Sequence, residues 1–179
     1  PDKANNAVKY GDPAKYSAGS TTSFSVIDKD GNMITVTQTI NDFFGSGVIV
    51  EGTGIIMNDE MDDFVTNNPT HSNAPAPGKR PLSSITPMIV LKDGKPFLTM
   101  GTPGGPRIIT AVANNIMNVV DFKMDLQTAI LNARLHNPNA PESQLERPVA
   151  EYKFAEFADV LVRELEARGH KLNLRPQLS

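Results

Sequence analysis

The chain has 179 residues, and its 17 Lys and Arg against 20 Asp and Glu leave a formal net charge of −3. That balance excludes a general polyanion-binding protein, so no nucleic-acid partner is expected. With 39% hydrophobic and 21% charged residues, the chain is too apolar to be disordered. The absence of cysteine excludes disulfides, thiolate nucleophiles and cysteine metal sites. No apolar run is long enough to span a membrane.

Residues 1–20 differ in composition from the rest of the chain. They contain no Leu, Ile, Phe or Met, which is typical of an extended surface segment without a core face. A β-rich run begins directly afterwards at Thr21, which by composition alone is an ordinary strand residue. If the chain were cut before Thr21, a free α-amine would lie beside the threonine hydroxyl. Such an amine, with an ordinary pKa near ~8, can act as a general base for that hydroxyl.

Turn residues between β-rich runs predict hairpins in the N-terminal part of the chain. Asp28–Asn32 is the predicted turn of the first hairpin, and Asp93–Lys95 that of the second. Between them, Gly and Val-rich sequence indicates loop and short strand, and a Pro and Asn-rich stretch indicates an exposed loop. The predicted segments are a hairpin over 21–40, loop and short strand over 45–58, an exposed loop over 65–80 and a hairpin over 88–101.

Helical spacing of apolar residues predicts three helices in the C-terminal part. The first follows Gly104, Gly105 and Pro106, the second starts at Asp125 as N-cap and runs towards Ala133, and the third covers 155–168. Strands before helices indicate an α+β fold rather than βαβ repeats. The apolar residues at helical spacing in the first helix are Ile108, Ile109, Val112, Ile116, Val119 and Val120. The predicted inward residues of the third helix are Phe157, Val160, Leu161 and Leu165, with Gly169 as its C-cap.

Three short segments have the composition of functional sites, each with a simpler structural alternative. Gly104 and Gly105 can direct backbone N–H groups at an oxyanion, or form a tight strand-to-helix turn. Asn58–Asp63 holds four acidic residues that can bind a cation or ammonium or transfer protons, or form a solvated loop. Its spacing is not that of an EF-hand, so calcium is not expected. The hydroxyls of Ser83 and Ser84 can bind a carboxylate, or lie in an ordinary loop.

The three histidines, His71, His136 and His170, lack the spacing of a metal site. Each is interpreted as a surface residue rather than a ligand or a base. No metal ion and no cofactor are therefore expected.

Taken together, six segments resemble the γ-glutamyltranspeptidase family of N-terminal-nucleophile hydrolases. They occur in the family's order and with similar spacing over about residues 5–170. Each motif is weak by itself, whereas the ordered set is highly specific. The segments are Thr21–Val26, Asp28–Asn32, Phe44–Gly47, Met61–Phe64, Lys79–Ser84 and Thr102–Arg107.

The resemblance implies a proenzyme with the four-layer αββα sandwich, which cleaves itself between Ser20 and Thr21 into a large and a small subunit. Thr21 then becomes the nucleophile, and Thr39 hydrogen-bonds its side chain. No cofactor is implied. The remaining roles implied by the resemblance are donor amino and carboxylate binding by Asn41, Glu60 and Asp63, donor carboxylate binding by Ser83 and Ser84, and an oxyanion hole formed by the backbone of Gly104 and Gly105.

The implied organisation is a large-subunit tail over 1–20 and a small-subunit catalytic region over 21–179 that stops before the closing strands expected in relatives. The implied partners are the large subunit, which supplies an arginine, a glutathione-like γ-glutamyl donor, and an amino-acid, peptide or water acceptor. A periplasmic or secreted location is suggested by the family alone. Where the family often has His, this chain has Ser23, and no Phe, Tyr or Trp lies between Phe64 and Lys79.

Two alternatives remain open from the sequence. A cephalosporin acylase or a poly-γ-glutamate depolymerase-like enzyme would keep the scaffold and change the substrate. An unprocessed, inactive fragment would only fold or bind. In either case, the 179-residue chain without a large subunit is expected to expose apolar residues such as Val48 and Val50 and to self-associate.

Overall fold

The structure is a computed structural model that describes residues 20–138, 141–146 and 155–175, without the side chains of 155–158. The expectations for residues 1–19 and for the side chain of Phe157 lie outside these residues. The strands are β1 (Thr22–Ile27), β2 (Met33–Gln38), β3 (Ile49–Val50), β4 (Ile55–Ile56), β5 (Met88–Lys92), β6 (Lys95–Met100), β7 (Leu135–His136), β8 (Glu142–Glu146) and β9 (Lys171–Arg175). The α-helices are α1 (Ile108–Val120), α2 (Leu126–Leu131) and α3 (Ala155–Ala167), and 3₁₀ turns cover Glu60–Asp63 and Gly105–Arg107.

The first predicted hairpin is confirmed, and its two faces differ in chemistry. β1 and β2 pair antiparallel, with Ser23 opposite Thr37 and Ser25 opposite Thr35. Since side chains alternate along a strand, these hydroxyls share one face. The other face is apolar and about half exposed, with Phe24 at 50%, Val26 at 52% and Ile34 at 51%.

The hydroxyl face of this hairpin lies against the second predicted hairpin, β5–β6, which is also confirmed. Thr35 Oγ1 donates to the Met100 carbonyl at 3.3 Å, and Thr99 Oγ1 donates to Ser25 Oγ at 3.3 Å. The approach is closest at Gly101, where an added Cβ would lie 2.3 Å from Ser23 Oγ. Glycine at this position therefore lets the end of β6 meet the start of β1.

The first two helices confirm their predicted starts. Ile108, Ala111 and Val112 of α1 are buried, whereas Ile109 is 52% exposed although it belongs to the same apolar spacing. Asp125 is the N-cap of α2, because its Oδ1 accepts the Thr128 N–H at 3.0 Å. The helix ends at Leu131, before the predicted Ala133.

The C-terminal part also contains three strands that the sequence analysis did not predict. β7 pairs antiparallel with β8, and β8 pairs parallel with β9 across α3. The sequence signal failed because β7 has two residues and β8 is largely polar, so neither shows the alternation of a typical strand.

The third helix follows its predicted bounds, but its predicted core face is partly wrong. Val160 is 44% exposed and Leu161 38% exposed. The predicted C-cap is confirmed at Gly169, which has a φ of 89°. The Gly169 N–H donates to Glu166 O at 2.9 Å and the His170 N–H to Leu165 O at 3.1 Å, which is the Schellman pattern.

Candidate active site

Thr21 and Thr39 lie side by side at the open end of the first hairpin. Thr21 Oγ1 donates to Thr39 Oγ1 at 3.1 Å, and Thr39 Oγ1 also accepts the Asn41 N–H at 2.9 Å. The preceding residue is held in the same place, since the Ser20 N–H donates to Asn41 O at 3.2 Å. The Thr21 hydroxyl is therefore fixed by a partner that is itself fixed by the backbone.

The acidic segment follows directly in space. The Asp42 N–H donates to Asp59 Oδ1 at 3.0 Å, and the Asp59 N–H donates to Ile40 O at 3.2 Å. These bonds place the 3₁₀ turn that carries Glu60 and Asp63 beside the end of β2. The predicted Asn41, Glu60 and Asp63 thus belong to one neighbourhood.

Two of the three acids of this turn, Glu60 and Asp63, have raised pKa values. Partial burial, followed by the charge of Asp63, raises the pKa of Glu60. Partial burial also raises the pKa of Asp63, and the charges of Asp62, Asp59 and Asp42 add to that effect, while a hydrogen bond with Glu60 opposes it. Mutual repulsion of this kind is relieved by a bound cationic group.

A residue that the sequence analysis did not single out joins the acidic turn to the serine segment. Asn73 Nδ2 donates to the Asp63 carbonyl at 2.7 Å, and Asn73 Oδ1 accepts the Leu82 N–H at 3.0 Å. The predicted exposed loop over 65–80 is indeed largely exposed, but Ala74 beside this bridge is buried. The Asn in a Pro-rich loop gave no sequence signal for such a contact.

The serine segment in turn contacts the glycine turn. Ser84 Oγ donates to the Gly105 carbonyl at 2.7 Å, whereas Ser83 Oγ accepts the Ile85 N–H at 3.3 Å. A hydroxyl has one proton, so in this arrangement Ser83 is the serine whose proton is free for a bound carboxylate.

The two glycines adopt backbone conformations that favour glycine, with φ of 145° at Gly104 and 56° at Gly105. Within the described part of the chain, neither of their N–H groups has a hydrogen-bond acceptor. Free N–H groups in a turn before a helix are suited to an anionic oxygen. Hydrogen bonds between successive segments thus connect the Thr21–Thr39 pair, the acidic turn, the serine segment and the glycine turn.

His136 is buried, so its interpretation as a surface residue is wrong. It is only 5% exposed, and its Nδ1 lies 2.8 Å from Thr110 Oγ1 at the start of α1. Burial, and then the neighbouring charge of Arg107, lower the pKa of His136. His71 and His170 are exposed, as predicted.

A cleft of about 280 Å³ lies between β1, β6, α1 and α2, and none of the predicted site residues lines it. Within the described ranges, no group of three or more His, Asp or Glu side chains is arranged to hold a metal ion. In the same part of the chain, no helix is long and apolar enough to cross a membrane.

Comparison with known proteins gives a consistent result. A sequence profile described as gamma-glutamyltranspeptidase matches residues 1–179. A glutathione hydrolase proenzyme from Pseudomonas sp. (strain A14) is 45% identical over 80% of this chain, which spans 27% of that relative. A solved γ-glutamyltranspeptidase mutant from Helicobacter pylori is 40% identical with a TM-score of 0.76, covering 88% of this chain and 86% of that one. A solved cephalosporin acylase from Bacillus halodurans is 33% identical with a TM-score of 0.68, covering 84% of this chain and 26% of that one.

The chain belongs to the γ-glutamyltranspeptidase family. The likeness also confirms the expected fold class, the α+β sandwich of the N-terminal-nucleophile hydrolases.

Proposed function

We propose that this chain is the nucleophile-bearing region of a γ-glutamyl transferase and hydrolase that acts on glutathione-like γ-glutamyl amides. The observation that carries the proposal is the Thr21–Thr39 hydroxyl pair, joined through hydrogen-bonded loops to an acidic turn and a glycine turn. A hydroxyl, an ammonium-binding acidic group and free N–H groups are the parts that acyl transfer from a γ-glutamyl donor requires.

Cleavage before Thr21 releases the α-amine that this chemistry needs. While Thr21 is joined to Ser20 its nitrogen is an amide and cannot accept a proton. Once free, the amine takes the hydroxyl proton as Oγ1 attacks the γ-carbonyl carbon, and the Gly104 and Gly105 N–H groups bind the resulting oxyanion. The carbon–nitrogen bond then breaks, and the ammonium returns its proton to the leaving amine. Water or an amine resolves the γ-glutamyl ester.

The donor's charged groups match the groups around Thr21. Partial burial is the main cause of the raised pKa values of Glu60 and Asp63. The donor ammonium supplies a counter-charge to both carboxylates. Asn41 lies between this turn and Thr39. Ser83 donates its free proton to the donor carboxylate, and Ser84 beside it stays on the Gly105 carbonyl. The proposed partner is a large subunit that completes the carboxylate end of the site, in a periplasmic or secreted enzyme.

The test is the complete protein with Thr21→Ala, compared with wild type and with Thr21→Ser. We expect Thr21→Ala to abolish both self-cleavage, seen on a denaturing gel, and cleavage of a γ-glutamyl anilide, because the attacking hydroxyl is lost. Thr21→Ser should retain part of both. Normal cleavage by Thr21→Ala would remove Thr21 from the mechanism.

Because the chain is also similar to a cephalosporin acylase, the experiment should include a cephalosporin as a second substrate. Turnover of a cephalosporin side-chain amide without turnover of the γ-glutamyl anilide would favour that class, and preference for a poly-γ-glutamate chain would favour a depolymerase. An intact mass with the Ser20–Thr21 bond whole in the complete protein would favour the inactive alternative.

A further inference from the structure

The 3₁₀ turn that carries Gly105 has little support of its own. It covers only Gly105–Arg107, and its backbone bonds are the Arg107 N–H to Gly104 O at 3.2 Å and the Ile108 N–H to Gly105 O. Two glycines at positive φ give this segment more conformational freedom than other residues would. Groups that stabilise a transition state must be held within about 0.5 Å of their working positions. The turn therefore needs external restraints.

One restraint acts on the Arg107 side chain. Its Nε donates to Gln144 Oε1, on β8, at 2.7 Å. Gln144 is the direct cross-strand partner of His136, so both side chains leave the same face of the β7–β8 ribbon.

The second restraint acts on the Arg107 carbonyl. Thr110 Oγ1 donates to Arg107 O at 3.0 Å and lies 2.8 Å from His136 Nδ1. Since the hydroxyl has one proton, both bonds form together in the imidazole tautomer that carries its proton on Nδ1. The result is a relay of two hydrogen bonds from His136 through Thr110 to Arg107. Asn114 fixes the same helix turn to β7, because its Nδ2 donates to Thr110 O at 2.6 Å and to Leu135 O at 3.3 Å.

We propose that the cross-strand pair His136 and Gln144 holds Arg107 at both its carbonyl and its side chain and thereby positions the N–H groups of the glycine turn. Gln144, Thr110 and His136 are positioning residues, since they act on the reacting atoms through Arg107. The inference rests on the proposed function, in which the Gly104 and Gly105 N–H groups bind the oxyanion.

The experiment uses two matched pairs of variants in the complete protein. Thr110→Val removes the hydroxyl at nearly constant shape, and Thr110→Ser retains it. Gln144→Met removes the acceptor at nearly constant length, and Gln144→Glu retains one. We expect the kcat for a γ-glutamyl anilide to fall about ten-fold in Thr110→Val and Gln144→Met, with KM within about two-fold of wild type. The reason is that the glycine N–H groups bind the oxyanion, which develops in the transition state and is absent from the bound substrate. Thr110→Ser and Gln144→Glu should restore most of the rate.

Amide hydrogen exchange of the peptide covering 101–108 gives a readout that does not need turnover. Exchange should be faster in Thr110→Val and Gln144→Met and close to wild type in the two conservative variants. Wild-type kcat and exchange in Thr110→Val and Gln144→Met would overturn the proposal, as would equal losses in Thr110→Ser and Thr110→Val. If Thr110→Val does not fold, the Gln144 pair decides. A wild-type protein that is processed but does not cleave the anilide would contradict the proposed function. The exchange pattern would still show whether Thr110 and Gln144 hold the glycine turn in place.

Discussion

At the scale of single residues, the charges of Glu60 and Asp63 affect the stability of the folded protein and, as proposed above, the binding of the donor. Since the folded-state pKa values of Glu60 and Asp63 are raised, by partial burial first, their ionised forms destabilise the folded protein. The sign follows from linkage: folding is favoured below the unfolded-state pKa, and that advantage is lost as pH rises through the raised folded-state value. At neutral pH the two ionised carboxylates therefore lower the stability of the folded protein, and we expect a bound donor ammonium to recover that stability.

Asp63→Asn should raise the thermal unfolding temperature of the ligand-free protein at pH 7 to 8, because one repelling charge is removed. The same change should lower kcat/KM for a γ-glutamyl donor about ten- to a hundred-fold, since a charge-assisted hydrogen bond is lost. Asp62→Asn is the matched control, with a similar change in charge and little change in kcat/KM. An Asp63→Asn protein that is less stable and fully active would contradict both roles.

His136 should make stability depend on pH in the opposite direction. Its folded-state pKa is lowered below the ordinary 6.5 by burial first and by Arg107 second. The unfolded chain therefore binds a proton more readily, so stability is present above about pH 6.5 and is lost as pH falls through the folded-state pKa.

His136→Asn keeps an N–H donor near Thr110 but cannot titrate. The unfolding temperature measured from pH 7.5 to 5.5 should fall more steeply for wild type than for His136→Asn. Parallel profiles for the two proteins would show that this imidazole is not the titrating group.

At the scale of elements, the sequence predicted those turns and helix ends that are determined by neighbouring residues, and it missed strands whose partners are distant in the chain. The turn at Asp28–Asn32 and the N-cap at Asp125 are determined by neighbouring residues, since Asp28 accepts the Asp30 and Asn32 N–H groups and Asp125 accepts that of Thr128. β8 has no such signal, because its pairing with β9 depends on residues beyond α3. Sequence periodicity cannot report a partner that distant.

The same distinction applies to the candidate site. Asp63 and Gly105 stand out by residue type within an acidic run and a glycine pair, and Thr21 stands out by its position after residues 1–20 and by family resemblance. Asn73 and Thr110 are polar residues of ordinary kinds, and only the folded arrangement gives them their partners. The burial of His136 likewise depends on α1 covering the short strand β7.

An ion pair joins the segment after α2 to β8 and offers a test of element packing. Arg134 contacts both Glu146 carboxylate oxygens, at 2.5 and 2.7 Å, with side-chain exposures of 12% and 10%. The Glu146 N–H also donates to the Arg134 carbonyl at 2.9 Å. The pair therefore supports the end of the β7–β8 ribbon.

Arg134→Met should lower the free energy of unfolding by about 3 kcal/mol, because it leaves the Glu146 carboxylate buried without this guanidinium. The double variant Arg134→Met/Glu146→Leu should recover much of that loss in urea denaturation, since both charges are then absent. A single variant as stable as wild type would show that solvent reaches the carboxylate.

For the whole molecule, the distribution of exposed apolar side chains has the largest consequence. The β3–β4 hairpin exposes Val48 at 57%, Ile49 at 61% and Ile55 at 59%, and Val50 is 39% exposed. The expectation of an apolar surface at Val48 and Val50 is confirmed. Contiguous apolar area of this kind indicates a protein contact surface or a site of self-association.

The isolated 179-residue chain should therefore self-associate and show no γ-glutamyl turnover, since the proposed large subunit is absent. Analytical ultracentrifugation should detect species larger than the monomer, and Val48→Ser/Ile49→Thr should shift the distribution towards the monomer. Asp30→Asn/Asp93→Asn, on exposed turns away from this hairpin, serves as the control. A monomeric wild-type chain, or turnover that Thr21→Ala abolishes, would contradict this expectation.

Because the chain is synthesised from its N-terminus, the contacts of the Thr21 hydroxyl can form earlier than those of the glycine turn. The hydrogen bonds that place the Thr21 hydroxyl reach only to Thr39 and Asn41, whereas the glycine turn depends on Ser84 and on Gln144 of β8. Local contacts form early, and contacts between distant residues require the later residue to have left the ribosome. A growing chain can therefore set the Thr21 hydroxyl in place before Gln144, which contacts the glycine turn through Arg107, has been synthesised.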